Sequence, residues 1–202
     1  HIHELLVGMF FIVTFGFGQP TFIEHIISNT VNGAWFVHAE DIDSDGDIDV
    51  LSVSFSDDQI TWYENDGSEN FTTHLISTSA DGARSVYAAD VNGDGNMDVL
   101  SASLSDNKIA WYKNDGSEGF TEYVISNTAS GAYSVHTADI DGDGDIDVLS
   151  ASYYDNKIAW YENDGSENFA EHVVSNTANG AYSVHTEDID GDGNMDVLSA
   201  SF

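Results

Sequence analysis

Acidic residues at alternate positions make up the part of this sequence with the clearest chemistry. Residues 139–147 have the sequence DIDGDGDID, so carboxylates stand at positions 1, 3, 5, 7 and 9 of the stretch. Like charges so close together disfavour one another's ionised form unless a cation neutralises them. Oxygen ligands at this spacing suit calcium, which accepts roughly six to eight oxygens with flexible geometry, whereas magnesium requires a stricter octahedron. The stretch therefore predicts a calcium loop.

The acidic stretch occurs four times. The copies begin at Asp41, Asp90, Asp139 and Asp188, each 49 residues after the one before. We predict side-chain ligands at positions 1, 3, 5 and 9 and a backbone carbonyl at position 7, where Asn replaces Asp in two copies. The candidate metal ligands are Asp41, Asp43, Asp45, Asp47, Asp49, Asp90, Asn92, Asp94, Asn96, Asp98, Asp139, Asp141, Asp143, Asp145, Asp147, Asp188, Asp190, Asp192, Asn194 and Asp196.

The loop differs from an EF-hand in two respects. An EF-hand needs a bidentate glutamate at position 12 and helices on both sides, and its opening pattern is otherwise the same. Position 12 in this chain is a serine within a strand pattern, at Ser52, Ser101, Ser150 and Ser199. Glycine at position 6 allows the backbone to turn around an ion. The remaining alternative to a calcium loop is an acidic surface turn without metal.

The composition excludes several classes of function. The chain has 36 Asp and Glu against 4 Lys and Arg, a formal net charge of −32, and no cysteine. Nucleic-acid binding requires basic side chains that displace counterions from phosphates, and attraction to an anionic membrane surface requires them too. Stability must come from metal ions and packing between repeats, because no disulfide can form. No nucleophile motif or phosphate-binding loop is present, so we expect no enzyme.

The residues between the acidic loops have the pattern of short strands. The third period contains four such segments, at residues 132–139, 148–153, 157–162 and 169–174, and the Asn-Asp-Gly at 163–165 predicts a hairpin. No segment has a sustained helical period. Repetition of four-stranded antiparallel units predicts an all-β fold, a β-propeller whose blades must stack to bury their faces. About four repeats are present, approximately residues 22–70, 71–119, 120–168 and an incomplete 169–202.

The N-terminal segment has a different character from the repeats. Residues 1–18 contain an apolar run too short to span a bilayer, followed by small residues, which is typical of a secretory signal peptide whose start is missing. A buried first strand is the alternative. We therefore expect a secreted protein whose repeats occupy residues 19–202. The last period stops in mid-repeat, so we also expect the chain to be part of a longer product with a larger ring.

The third repeat, GAYSVHTADIDGDGDIDVLSAS, resembles the FG-GAP or VCBS repeat, the calcium-binding blade of integrin α-subunit propellers and many secreted bacterial proteins. The resemblance covers roughly residues 22–202. It differs at the start of the motif, where Gly-Ala-Tyr or Gly-Ala-Trp replaces Phe-Gly, and Ser-Ala-Ser replaces Gly-Ala-Pro. The resemblance implies one structural Ca²⁺ per blade, in a loop joining the innermost strand to the second strand on one rim. In integrins the opposite rim carries ligand recognition.

Other residues recur with the same period, and packing explains them best. Histidine or tyrosine occupies two rows, at residues 38, 87, 136 and 185 and at residues 25, 74, 123 and 172. Tyrosine cannot replace a catalytic or zinc-binding histidine, which favours packing over a site. Trp62, Trp111 and Trp160 are also expected to pack between blades, with a sugar platform as the alternative. The predicted opposite rim consists of turns at 57–59, 106–108 and 155–157 and crossings at 29–33, 79–82, 127–131 and 176–180. Ordinary turn chemistry is equally compatible with these segments.

Together these features predict a secreted, calcium-binding propeller that acts as a binding or adhesion module. Its partner is expected to be a protein or a glycan on the rim opposite the calcium loops, without nucleic-acid binding or membrane insertion after signal cleavage. The alternatives are a carbohydrate-binding lectin, an accessory propeller of a polysaccharide-degrading enzyme, and a structural surface layer. Fold alone does not distinguish among these functions.

Overall fold

The computed structural model of the protein describes residues 6–7 and 22–202. The predicted signal peptide, residues 1–18, lies outside the described residues except for a short strand. All regular structure in the described part of the chain is β. The strands are β1 (Leu6–Val7), β2 (His25–Ile26), β3 (Ala34–Glu40), β4 (Asp49–Ser54), β5 (Gln59–Asn65), β6 (Phe71–Ser77), β7 (Ala83–Ala89), β8 (Asp98–Ser103), β9 (Lys108–Asn114), β10 (Phe120–Ser126), β11 (Ala132–Ala138), β12 (Asp147–Ser152), β13 (Lys157–Asn163), β14 (Phe169–Ser175), β15 (Ser183–Glu187) and β16 (Asp196–Ala200).

Consecutive strands pair as antiparallel hairpins and form repeated sheets. Strands β3 to β6, β7 to β10 and β11 to β14 each form a four-stranded sheet in chain order, and β15 pairs with β16. A separate short pair joins β1 and β2. The strands predicted for the third period correspond to β11 to β14, and the predicted hairpin joins β13 to β14. The expectation of an all-β chain of repeated four-stranded antiparallel units is therefore confirmed.

The sheets begin and end at different residues from the units assigned by sequence period. Each complete sheet begins at the strand before an acidic loop and ends with the fourth strand, so the first sheet runs from Ala34 to Ser77. The sequence unit 71–119 instead begins with a fourth strand, β6. A period can be cut at any point of the repeat, whereas hydrogen bonding between strands decides where one sheet ends.

Neighbouring sheets stack face to face through continuous apolar layers. The layer between the first and second sheets contains Leu51 and Trp62 from one sheet and Val86 and Val99 from the other. Similar layers join the second sheet to the third and the third to β15 and β16. The second strands β4, β8 and β12 are buried along their whole length. Burial of these strands along their whole length explains why they contain small residues, which let neighbouring segments pack closely.

The first strands of successive sheets lie side by side. The Val135 backbone N–H donates to Ser85 Oγ at 3.3 Å, and Val184 makes the same bond to Ser134 at 3.4 Å. A row of rings crosses these strands, with centroid distances of 4.5, 4.8 and 4.4 Å along the series His38, Tyr87, His136 and His185. The first of the two His/Tyr rows is therefore a packing feature that connects one sheet to the next.

The repeated tryptophans also pack between sheets. Trp62 and Trp111 are each 1% exposed, and each meets the edge of a phenylalanine of the next sheet, Phe120 or Phe169. On the other side, the ring of His74 stacks on Trp62 with centroids 4.3 Å apart. This arrangement confirms the packing interpretation for these two tryptophans and for His74 of the second His/Tyr row.

The ring row predicts a dependence of stability on pH. Burial lowers the pKa of His136 to about 4, with smaller contributions from His185 and His38. The folded protein therefore holds this imidazole neutral, while the unfolded chain binds a proton below about pH 6.5. Acidification from pH 6.5 to 4 should therefore destabilise the wild-type protein by up to about 3 kcal/mol through His136. We expect His136→Tyr, which introduces the residue found at the equivalent position 87, to abolish this loss.

Urea denaturation of the wild-type and variant proteins at pH 7.5 and pH 4.5 tests this expectation. Both should have similar midpoints at pH 7.5, and the variant should be the more stable at pH 4.5. His172→Tyr is the matched control, because the half-exposed His172 already has Glu162 at 2.7 Å as a partner. Equal sensitivity of wild type and His136→Tyr to acid would contradict the prediction.

Candidate metal centres

Each acidic loop joins the first strand of a sheet to the second strand. The loop at 41–49 joins β3 to β4, and the others occupy the same place in the following sheets. Because the first strands lie side by side, all four loops lie at the same end of the stacked sheets. The structure thus places the proposed ligands of each loop in one short segment at the end of its sheet.

The carboxylates of each loop turn inward and accept hydrogen bonds from the loop's own backbone. Asp41 at position 1 accepts from the N–H of Gly46 at 3.0 Å and from Asp45 at 3.1 Å. Asp43 at position 3 also accepts from Asp45, at 3.2 Å. The bond from glycine 6 to residue 1 recurs in the other loops at 2.9, 3.1 and 3.0 Å. The glycine has φ of +96° in the first loop, a conformation that favours glycine over other residues.

Oxygen atoms from three acids converge in three of the loops. In each group, one oxygen per residue lies within 4.8 Å of the others. The first loop brings together positions 1, 3 and 5, whereas the third and fourth loops bring together positions 1, 3 and 9. The groups are Asp41, Asp43 and Asp45; Asp139, Asp141 and Asp147; and Asp188, Asp190 and Asp196. In the second loop Asn92 replaces the acid at position 3 and donates to Asp94 at 2.9 Å.

Position 9 has a structural role in addition to its place in the ligand set. Asp49, Asp98 and Asp147 are fully buried. In the third sheet Asp147 accepts the N–H of Ile140 at 3.0 Å through one oxygen and the N–H of Asn163 at 2.8 Å through the other. The equivalent bonds hold the first and second loops. The carboxylate therefore ties the acidic loop to the end of the third strand.

An asparagine at the end of each third strand completes this connection, and sequence reasoning assigned it only to a hairpin. The side-chain amides of Asn65, Asn114 and Asn163 each donate to the backbone carbonyl at position 8 of the acidic loop in the same sheet, at 3.0–3.1 Å. Asn163 also donates to the carbonyl of Val91 in the preceding sheet's loop, at 2.9 Å. The signal in the sequence was the recurrence of Asn-Asp-Gly with the same period as the loops.

The electrostatics of the buried carboxylates favour a cation. Burial raises the pKa of Asp98 to about 6, and hydrogen bonds from Asn114 and Val91 offset this effect only in part. Burial also raises the pKa of Asp49 and Asp147. A buried carboxylate beside other acids is costly to ionise, and a bound divalent cation removes that cost. The donor set, all carboxylate and amide oxygens at flexible spacing, fits calcium.

The turns between second and third strands lie at the other end of the sheets, as predicted, and they contact the crossings to the next sheet. The second residue of each turn accepts a hydrogen bond from a crossing glycine. These bonds run from Gly82 to Asp58 at 3.0 Å, from Gly131 to Asn107 at 2.8 Å and from Gly180 to Asn156 at 2.8 Å. The structure therefore gives these polar turn side chains a role in joining one sheet to the next.

Comparison with known protein families identifies the class of protein. The model of the FG-GAP-like repeat matches residues 41–101, 90–150 and 139–199, which together cover most of the chain. Each match runs from one acidic loop through the second, third and fourth strands to the next loop. The chain belongs to the FG-GAP-like repeat family, which confirms the resemblance seen in the sequence.

Comparison with individual proteins adds one structural neighbour. The crystal structure of the V. cholerae biofilm matrix protein Bap1 is similar with a TM-score of 0.41 and 18% sequence identity, over 84% of this chain and 33% of that chain. The chain therefore spans about a third of the length of that protein. No curated protein matches the sequence significantly. Among the described residues no helix is long and apolar enough to cross a membrane.

The asparagine connection predicts a large loss of stability on truncation of one amide. Asn163→Ala leaves the buried carbonyls of Ile146 and Val91 without their donor, and each unsatisfied group costs about 1–3 kcal/mol. We expect urea denaturation to show a loss of about 2–4 kcal/mol. Asn168→Ala, whose amide bonds only within an exposed turn, should change stability by less than about 1 kcal/mol. Similar losses in the two variants would contradict the assignment.

Proposed function

We propose that the chain is part of a secreted β-propeller, stabilised by calcium, that acts as a binding or adhesion module and not as an enzyme. The observation that carries the proposal is the fourfold recurrence of an inward-facing acidic loop at one end of stacked four-stranded sheets. Membership of the FG-GAP-like repeat family supports the same conclusion, because such repeats generally bind Ca²⁺.

Calcium has a structural role in this proposal. Ligands come from positions 1, 3, 5 and 9, with the backbone carbonyl of position 7 completing the set. Position 9 also holds the third strand through Asn65, Asn114 or Asn163. An ion at the loop therefore stabilises the hairpin of first and second strands and its connection to the third strand in one step. Carboxylates used in this way are unavailable as general acids or bases, so the loops support binding and not catalysis.

The propeller geometry follows from the way the sheets stack. The second strand of each four-stranded sheet is buried, apolar layers join one sheet to the next, and the first strands lie side by side. Continued stacking of twisted sheets around such first strands closes into a ring, which leaves no sheet face uncovered. A ring presents the same end surface once per blade, and repeated weak contacts then give strong overall attachment.

Removal of calcium is expected to destabilise the protein. At free Ca²⁺ about a hundredfold above the dissociation constant, each ion adds about 2.7 kcal/mol to the free energy of unfolding. In a domain of this size that energy corresponds to a shift of roughly 5–10 °C in Tm. Thermal melts followed by circular dichroism should therefore show a lower Tm in EDTA than in Ca²⁺, and titration calorimetry should detect about one ion per acidic loop.

A pair of matched variants makes the calcium test specific. Asp143→Asn removes one acid from position 5 of the third loop, and Asp81→Asn removes one exposed acid from a crossing. The first should bind one Ca²⁺ fewer and lose part of the EDTA effect, while the second should behave as the wild type. A melt unaffected by EDTA in the wild-type protein would refute the structural role of calcium.

Adhesion is tested separately with beads that carry the protein. Beads coated with the chain should be retained under flow on at least one surface of a panel of immobilised glycans and extracellular proteins in Ca²⁺. Retention should disappear in EDTA, because the ring surface depends on folded blades. Beads coated with a heat-unfolded sample are the control. Failure of retention on every surface, in a protein that still binds calcium, would rule out the adhesion role.

A further inference from the structure

Within residues 22–202, one cation has no acidic partner. The described residues include three lysines and one arginine, and each lysine forms an ion pair with a glutamate: Lys108 with Glu122 at 2.7 Å, Lys157 with Glu171 at 2.6 Å, and Lys113 with Glu167. Arg84 forms no ion pair or hydrogen bond with any described residue, although the chain contains 36 acids. A guanidinium that is buried in part and lacks any acceptor is costly, unless a ligand supplies the acceptor.

Aromatic rings surround this arginine. The guanidinium carbon of Arg84 lies 3.7 Å from the ring centroid of Trp35, 4.3 Å from that of Phe55 and 5.1 Å from that of Tyr133. Its Nε and Nη1 atoms are buried without a partner, the residue as a whole is half-buried, and no described residue accepts a hydrogen bond from Nη2. Stacking on the rings fixes the plane of the guanidinium and leaves one of its nitrogens for an outside acceptor.

The cluster continues along the first strands as an aromatic surface. Tyr133 lies 4.1 Å from Tyr182 and 6.3 Å from Tyr153, measured between ring centroids. Trp35, Arg84, Tyr133 and Tyr182 occupy the same position of the four repeats, next to the alanine that begins the motif. We call Trp35, Phe55, Arg84, Tyr133, Tyr153 and Tyr182 the Arg84 cluster.

The Arg84 cluster is open to solvent and lies at the end opposite the calcium loops. Trp35 is 50% exposed and Tyr182 is 39% exposed. Trp35 stands at the start of β3, whereas the acidic loop follows the end of that strand. Burial and a hydrogen bond with Tyr182 raise the pKa of Tyr133 to about 12, so its hydroxyl stays neutral at any physiological pH. The surface therefore offers flat ring faces, neutral hydroxyls and one cation with an open nitrogen.

We propose that the Arg84 cluster binds an acidic saccharide, with the carboxylate of a uronic acid residue on Arg84 and its pyranose ring against Trp35. A pyranose presents a flat face of C–H groups and a rim of hydroxyls, which match exposed rings and tyrosine hydroxyls, and its carboxylate supplies the missing acceptor. Peptide recognition typically uses a sheet edge, a groove or a cluster of arginines, whereas this surface has a single arginine among flat rings. This inference rests on the proposed function, because it names the ligand class of the rim opposite the calcium loops.

The negative charge of the protein does not prevent this binding. β3 has 7 residues, so the acidic loops lie about 20 Å from the start of that strand at roughly 3.3 Å per residue. This separation is more than twice the Debye length of about 8 Å at physiological ionic strength. Among the acids of the turns at this end, Asp106 pairs with Lys108, and Asp57 and Asp58 accept backbone N–H groups, which orient these two carboxylates without neutralising them.

Binding of a galacturonate trisaccharide in saturating Ca²⁺ tests the proposal. Its methyl-esterified form, in which every carboxylate is neutral, is the matched ligand. Titration calorimetry should show that Arg84→Met weakens binding of the acid by about tenfold to a hundredfold, the range expected for loss of a charge-assisted hydrogen bond. Lys113→Met removes the same charge elsewhere and should change the affinity by less than about twofold. The ester should bind wild type and Arg84→Met equally.

The location of the saccharide is read from tryptophan fluorescence. Trp35 is half exposed, whereas Trp62 and Trp111 are covered, so emission should shift on binding in the wild type and not in Trp35→Phe. If Arg84→Met does not fold, Tyr182→Ala, which shortens an exposed ring and keeps the arginine, should weaken binding by about threefold or more.

Several outcomes would overturn the inference. Equal affinity for the acid and its ester, or equal loss in Arg84→Met and Lys113→Met, would show that Arg84 does not hold a carboxylate. Loss of binding in Asp143→Asn instead would place the uronate on the calcium loops. Tighter binding of a glutamate-rich peptide than of the saccharide would assign the cluster to a protein partner. If the EDTA effect and bead retention persist in these cases, the proposed function stands and only the ligand class fails.

Discussion

The fold depends on one buried carboxylate in each complete sheet. Asp49, Asp98 and Asp147 have no exposure to solvent, and each accepts backbone N–H groups from two different segments of its sheet. A carboxylate in such a position satisfies backbone donors that would otherwise be buried without partners, but its own charge is costly to bury. The remaining acids of the loop lie next to it, so a cation that neutralises them also neutralises the group that holds the strands.

This connection explains why the sheets repeat so regularly. The second strand of each complete sheet is buried along its whole length, and other segments hold it at both ends. At one end the acidic loop and an asparagine of the third strand fix it. At the other end the turn residues Asp58, Asn107 and Asn156 bind the crossing to the next sheet. Each repeat is therefore stabilised internally by its acidic loop, and its turn stabilises the contact with the next repeat. Stability from such nearest-neighbour contacts is typical of repeat proteins.

The repeated strands could be predicted from the sequence, because the same pattern recurs in every repeat and one copy supports the interpretation of the others. Alternation within 132–139 and 148–153 gave the first and second strands, and the fourfold acidic motif located the candidate site. The connection through Asn163 could not be predicted, since its partner Val91 lies 72 residues away in another sheet.

The Arg84 cluster was also missed. Its members belong to three different sheets and to the residue just before β15, and only the stacking of first strands brings them together. Its one trace in the sequence is a position near the start of the motif that holds Trp, Arg, Tyr and Tyr in the four repeats.

The two ends of the stack of sheets therefore have different roles. One end gathers closely spaced acids whose carboxylates also hold the loops of the repeat together. The other end gathers rings around Arg84, which forms no ion pair with any acid among the described residues. A protein with so many acids would form an ion pair with an arginine at little cost if the arginine served stability alone. Its isolation among half-exposed rings is better explained by a carboxylate that comes from outside the chain, and the length of the first strand keeps that carboxylate out of the field of the loops.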